Sequence, residues 1–291
     1  MNKKKSKILK FIFVIQVVII VLIIYCFINI MKWVLDNKLN NEINNELAEL
    51  ITVEKSEEVN GGANDNIEAL KNEEKDFFPG VEAENQEAES YSNSNANMNS
   101  NSDSNVSYKV DFEKIKEINS DAVGFLKVNG TNVEYIVVQG KDNEYYLTHN
   151  LKKEKNKAGW IYVDYKNQID GNDKNLVIYG HNRRNGTMFS SLKNVLNKEW
   201  YNKEENRKII FLNEEEQFVY EVFSIYQIKV EDYYAKTNFK TEEEWMEFIN
   251  KIKARSIKDF GISVGKEDNI LTLSTCSNNN AYRIVLHAVK K

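Results

Sequence analysis

The sequence predicts a mainly β protein: an eight-stranded, closed or nearly closed barrel with a few peripheral helices, preceded by one N-terminal transmembrane helix and a disordered linker. Three observations lead there. A 21-residue apolar run, Phe11 to Met31, lies near the start of the chain. A long stretch rich in Glu, Asn and Ser follows it. From residue 108 onward, eight short runs of β-branched and aromatic residues succeed one another, bounded by Asn, Gly and Asp.

The apolar run has Gln16 and Asn29 as its only clearly polar side chains. At about 1.5 Å per residue it spans roughly 30 Å, the thickness of a bilayer's hydrocarbon core. Residues 1–10 carry five Lys and no acid, which predicts a cytoplasmic tail and places everything after Met31 on the far side of the membrane. YCFINIMKW offers no small-residue cleavage site, so an uncleaved anchor is expected in place of a removed signal peptide.

Residues 32–107 read as a juxtamembrane helix and linker. Leu35, Leu39, Ile43, Leu47 and Leu50/Ile51 recur at spacings of three and four, which carries the helix to about residue 52. Beyond it, residues 42–89 hold 13 Glu and 2 Asp against 3 Lys, and 11 of the 14 residues from 92 to 105 are Ser or Asn. Such a composition buries too little apolar surface to offset chain entropy and predicts a flexible tether. Because it presents no apolar face, residues 108–291 are expected to fold and act without 1–107.

That placement of acid leaves 108–291 nearly neutral although the whole chain, with 39 Lys+Arg and 44 Asp+Glu, has a net charge of −5. A nucleic-acid partner is therefore not expected. Two Cys exclude a disulfide scaffold, and 12 Gly with one Pro exclude a collagen-like fibre. The barrel loops show no acidic cluster suited to calcium, so neither metal nor cofactor is expected.

Within 108–291, VDFEKIKEIN predicts a short helix. Strands are expected at VGFLKV, VEYIVVQ, GWIYVDY, NLVIYG, KIIFLN, FVYEVFSIYQIKV, NILTLST and YRIVLHAV, with hairpin turns at 129–131 and 213–217. TEEEWMEFINKIKARS predicts a later helix: Thr241 is the N-cap, Glu244 completes a capping box, and Trp245, Phe248, Ile249 and Ile252 form one apolar stripe.

The chemistry concentrates near the C-terminus. With Cys26 inside the bilayer, Cys276 has no partner in its own chain on the far side of the membrane. A lone thiol there is either packed as a small hydrophobe or used. A hairpin closing around 278–280 brings Cys276 opposite Tyr282 or Arg283. A guanidinium beside a thiol suits acyl transfer, where the thiolate attacks and the cation receives the oxyanion. Proton transfer needs a third group. His149 reads as a surface loop residue. His287 shares a face with Arg283 but lies about 13 Å along the strand and reads as a packed structural residue. His181, where the strand NLVIYG gives way to an Asn-rich loop, is the remaining candidate, and spacing alone leaves its role open.

Taken together, VVQGKDNEYYLTHN, AGWIYVDYKN, NLVIYGHN, and LTLSTC followed by R-x-V-x-HA resemble a class B sortase over nearly all of 108–291, as does the helix-bearing insertion between Tyr233 and Gly261. The resemblance implies the eight-stranded sortase barrel, a catalytic set of His181, Cys276 and Arg283, and a peptide site lined by Asn143, Leu147, Tyr179 and Ser274. It implies cleavage after Thr in an NPxTx-like sorting signal of secreted proteins through a thioester, resolved by an amine of a peptidoglycan precursor or, in some members, a pilin lysine. Two departures stand out: SNNNAY between Cys276 and Arg283 is short for the class, and Ile136 occupies a position that is often Pro. A peptidase that only hydrolyses would use the same three residues, and a non-catalytic barrel would bury Cys276 as an inert side chain.

Overall fold

The computed structural model describes residues 3–55, 106–277 and 281–291; the acidic linker and the expected turn at 278–280 lie outside the described residues. The first element is one unbroken helix, α1 (Lys3–Ala48), whose apolar part is long enough to cross a membrane. Strand β1 (Ile51–Lys55) follows and pairs with β2 (Val106–Val110).

The remaining strands are β3 (Ala122–Val128), β4 (Val133–Val138), β5 (Tyr162–Val163), β6 (Asn175–Tyr179), β7 (Lys208–Leu212), β8 (Gln217–Lys229), β9 (Ile270–Ser277) and β10 (Tyr282–Lys290). They close into a barrel in the order β10-β8-β7-β3-β4-β5-β6-β9, as the strand count predicts. Hairpins join β3 to β4 and β7 to β8 at the two expected turns. Gly130 sits in the first at φ +67°, a backbone state that side-chain-bearing residues rarely adopt.

The expected strand GWIYVDY shortens to two residues. Its N-terminal half is drawn out of the sheet by other partners: the amide of Trp160 donates to Tyr146 O at 2.9 Å, and its indole donates to Ile136 O at 2.8 Å.

Helix α2 (Phe112–Ile118) begins at Asp111, whose side chain accepts from the Lys114 amide, and it buries Phe112 and Ile115. A further short helix, α3 (Lys198–Tyr201), buries Trp200. Helix α4 (Glu242–Ala254) is capped by Thr241 as expected. Glu244, however, reaches one residue further back than a capping box requires and accepts from the Lys240 amide while pairing with Lys236. The Trp245, Phe248, Ile249 and Ile252 stripe packs on Phe223 and Tyr226 of β8, Ile270 of β9, and Val285 and Val289 of β10. Each such burial contributes roughly 1.5–3 kcal/mol, so α4 holds β8 to β9 and β10, the two strands that carry the C-terminal motif.

The juxtamembrane segment departs from the sequence expectation. Leu35 is exposed and Leu39 only half-buried, whereas Asn37, Asn40, Ile43 and Leu47 are buried against the barrel. Asn44 reaches Glu134 O at 3.4 Å, and Glu46 pairs with Lys152 at 2.8 Å. The helix therefore meets the barrel with a face that is half amide, Asn37 and Asn40 beside Ile43 and Leu47, of which the hydrophobic period marks only the apolar half.

Candidate active site

Strand β9 lies between β6, parallel to it, and β10, antiparallel. Tyr179 of β6 is level with Ser274, and Cys276 is level with Arg283 of β10. His181 and Cys276 each follow two residues beyond the Tyr179–Ser274 pair, with the Gly180 amide still donating to Ser274 O at 3.3 Å. Backbone register alone thus brings His181, Cys276 and Arg283 to one end of the barrel. The opposition of Cys276 to Arg283 settles which of the two residues, Tyr282 or Arg283, the hairpin places there. The half-buried Arg283 donates from Nη1 to Tyr282 O at 3.1 Å.

His181 is held from the far side. Its Nε2 lies 2.9 Å from Leu147 O. A carbonyl oxygen only accepts, so Nε2 carries the proton and Nδ1 is the basic nitrogen of the neutral ring. Burial pushes the imidazole below its ordinary value of 6.5; the Leu147 hydrogen bond opposes this, and the Arg183 cation adds to it.

The four residues carried over as substrate-lining fall around the same end. Asn143 donates from Nδ2 to Asp164 Oδ2 at 2.8 Å and accepts the Tyr165 amide at 3.1 Å. The Tyr179 hydroxyl donates to the same carboxylate oxygen at 3.0 Å, and burial with this negative neighbour pushes the phenol well up. Ser274 Oγ is 3.0 Å from the Tyr234 hydroxyl. Leu147 contributes the carbonyl to His181 and keeps an exposed side chain. The buried Asp164 that joins Asn143 to Tyr179 was missed in sequence, although a carboxylate directly after the buried pair Tyr162–Val163 is the available signal.

The other two histidines take the roles expected of them. His149 stacks on Tyr145 at 4.0 Å in a surface loop. His287 is fully buried between Thr272 Oγ1 at 2.8 Å and the Tyr226 hydroxyl at 2.9 Å. Thr272 spends its proton on Asn175 Oδ1, so it accepts from His287 Nδ1, and Tyr226 donates to Nε2. Burial, with the Arg255 cation adding to it, pushes this imidazole down to about 3. No group of His, Cys, Asp and Glu side chains suited to a metal occurs among the described residues.

The barrel falls largely within the part of the chain, residues 126–291, that the sortase domain family model matches. The chain is 34% identical over 187 residues to sortase B of Listeria monocytogenes, covering 61% of this chain and 72% of that protein. In structure it is similar to Clostridium perfringens sortase B (37% identity, TM-score 0.58, covering 62% of this chain and 99% of that one). It is also similar to a Staphylococcus aureus sortase B–substrate complex (33% identity, TM-score 0.58, covering 62% of this chain and 84% of that one). The chain belongs to the sortase family, its named relatives are of class B, and the general activity of that family is transpeptidation.

Proposed function

We propose that this chain is a membrane-anchored cysteine transpeptidase that cleaves an NPxTx-like sorting signal after Thr and joins the acyl part to an amine of the cell wall. The observation that carries the reading is the level pairing of Cys276 with Arg283, with His181 at the same strand ends. The Cys276 thiolate attacks the Thr carbonyl carbon, a C–S bond forms, and negative charge moves to the carbonyl oxygen. Arg283 stabilises that oxyanion; a single such donor is worth roughly 3–4 kcal/mol in the transition state. The C–N bond then breaks, and the leaving amine takes from His181 Nδ1 the proton that this nitrogen received from the Cys276 thiol when the thiolate formed. An incoming amine attacks the thioester, gives its proton to His181 Nδ1, and releases the thiolate.

The peptide groove is assigned to Asn143, Leu147, Tyr179 and Ser274, a reading supported by their position around the same barrel end. The apolar helix supports a single-pass anchor at 11–31, with the basic residues 1–10 cytoplasmic and the catalytic domain 108–291 outside the cell. Secreted proteins bearing the signal are the donors, and a peptidoglycan precursor amine is the acceptor. The test is incubation of the chain with an NPxTx peptide and triglycine, followed by mass spectrometry. Amide product that rises with triglycine supports the assignment. Cleavage with hydrolysis alone would make the chain a peptidase, and no cleavage would refute the substrate class.

A further inference from the structure

Helix α1 does more than touch the barrel: it meets the two chain segments that hold His181. The Asn40 side chain, 1% exposed, donates from Nδ2 to Gly159 O at 3.0 Å and accepts at Oδ1 from Asn156 Nδ2 at 2.8 Å. The same Asn156 nitrogen donates to Asp36 O at 2.9 Å, while Asn156 Oδ1 accepts the Ala158 amide. The turn 156–159 is therefore tied to the helix by side chains and to the 146–148 segment by backbone, through Asn156 N to Thr148 O and Trp160 N to Tyr146 O.

His181 rests on this turn. Gly159 adopts φ +62°, and a Cβ there would lie 2.5 Å from Tyr146 O and 3.0 Å from both Leu147 O and the His181 ring carbon Cδ2. Glycine, carbonyls and imidazole leave no slack, so a shift of Gly159 moves both the surface under the ring and the carbonyl that fixes its tautomer. A second grip lies two residues past the histidine. Arg183 donates from Nη1 to Lys157 O at 3.1 Å and from Nη2 to Asn37 Oδ1 at 3.4 Å. The Asp36 carboxylate, 3.2 Å from the Lys157 amide, partly offsets the cost of burying that cation.

We propose that the juxtamembrane part of α1 is a wall of the active site, in which Asn40, together with Asn156, is a positioning residue that clamps the turn supporting the His181 imidazole. This deepens the functional reading above and rests on His181 being the proton carrier. Asn40 and Asn156 use both amide atoms in hydrogen bonds, whereas Asn37 Nδ2 and Arg183 Nε are buried without a partner among the described residues. A buried amide whose bonds are made admits one arrangement, whereas an apolar contact can slide, which gives Asn40 and Asn156 a reason beyond adhesion. Ile43 and Leu47 supply the adhesion, and they lie further along the helix where they can be altered separately.

The experiment uses the full chain in phospholipid nanodiscs and follows cleavage of an NPxTx peptide with triglycine as a function of pH. Asn40→Leu is expected to lower kcat about 10-fold or more with KM nearly unchanged, since small misplacements of a catalytic group cost that much. The acid limb of kcat/KM should also rise toward 6.5 as the imidazole gains water. Asn40→Ala removes the same two hydrogen bonds without inserting a branched side chain, and it decides the matter should the leucine variant not fold. Ile43→Ala weakens docking through packing alone and should leave the acid limb in place. The clamp is overturned if the Asn40 variant that folds keeps the parent limb and turnover, or shifts them no more than Ile43→Ala does at equal loss of melting temperature. Cys276→Ala, run alongside, separates the two failures: if it stays active, the functional reading fails whatever Asn40 does.

Discussion

The two flanks of His181 are built by different means. On the strand side, β6, β9 and β10 set the relative heights of His181, Cys276 and Arg283 through backbone pairing, which any sequence keeping the alternation would reproduce. On the helix side, the ring is backed by Leu147, Gly159 and, behind them, individual amides of α1. Register tolerates side-chain change; a clamp of single hydrogen bonds does not. The chemistry is therefore insured on one flank and exposed to mutation on the other.

The strongest way to break this comparison is Cys276→Ala. It should lower peptide cleavage by roughly 10³-fold or more, to the background set by binding alone, with an unchanged melting temperature. Activity within tenfold of the parent would remove the strand flank from the chemistry. Arg283→Lys comes next. A point charge does not reproduce the planar fork, and the loss should approach the roughly 3–4 kcal/mol of an oxyanion donor, seen in kcat; a change confined to KM would assign Arg283 to substrate binding.

Ile43→Ala sharpens the other side. A fully buried Ile truncated to Ala costs about 2–5 kcal/mol, so urea melts of the full chain should shift by that order if the helix folds as part of the barrel. An unmoved midpoint would return α1 to the role of a tether. Per pH unit, the smallest effect is a slope. The unfolded chain protonates His287 near 6.5, whereas the native site resists until about 3. Between those values the unfolded state binds the extra proton, so stability should fall on acidification by up to about 1.4 kcal/mol per pH unit and be flat from this group above 6.5. Denaturant melts across that window check it, and His287→Gln should flatten the slope; an identical slope in that variant would place the acid sensitivity elsewhere.

The same contrast explains what was legible in the sequence. Period-two alternation and the turn residues at 129–131 and 213–217 announce a barrel, and the 3.6-residue stripe from Trp245 to Ile252 announces the helix that buttresses it. The strand flank of the candidate site was readable for that reason, down to Cys276 lying opposite either Tyr282 or Arg283; only the observed register selects Arg283. Asn37, Asn40 and Asn156 were not, because an Asn on a helix or in a loop carries no mark distinguishing a buried amide from a solvated one. Asp164 escaped for the same reason: its partners Asn143 and Tyr179 are remote in sequence and meet only once the barrel has closed. Leu35 shows the converse error, an apolar residue in the expected phase that faces outward.

The unbroken course of α1 from its apolar run to Asn40 also fixes a bearing. If residues 11–31 span a membrane as proposed, α1 carries no hinge between that span and the barrel, and each residue added between Met31 and Asp36 would turn the barrel about 100° around the helix axis and lift it about 1.5 Å. Four added residues would nearly restore the heading at a height about 6 Å greater. In that arrangement the helix would act as a compass as well as a mast, with the facing of the barrel written in the phase of a few residues.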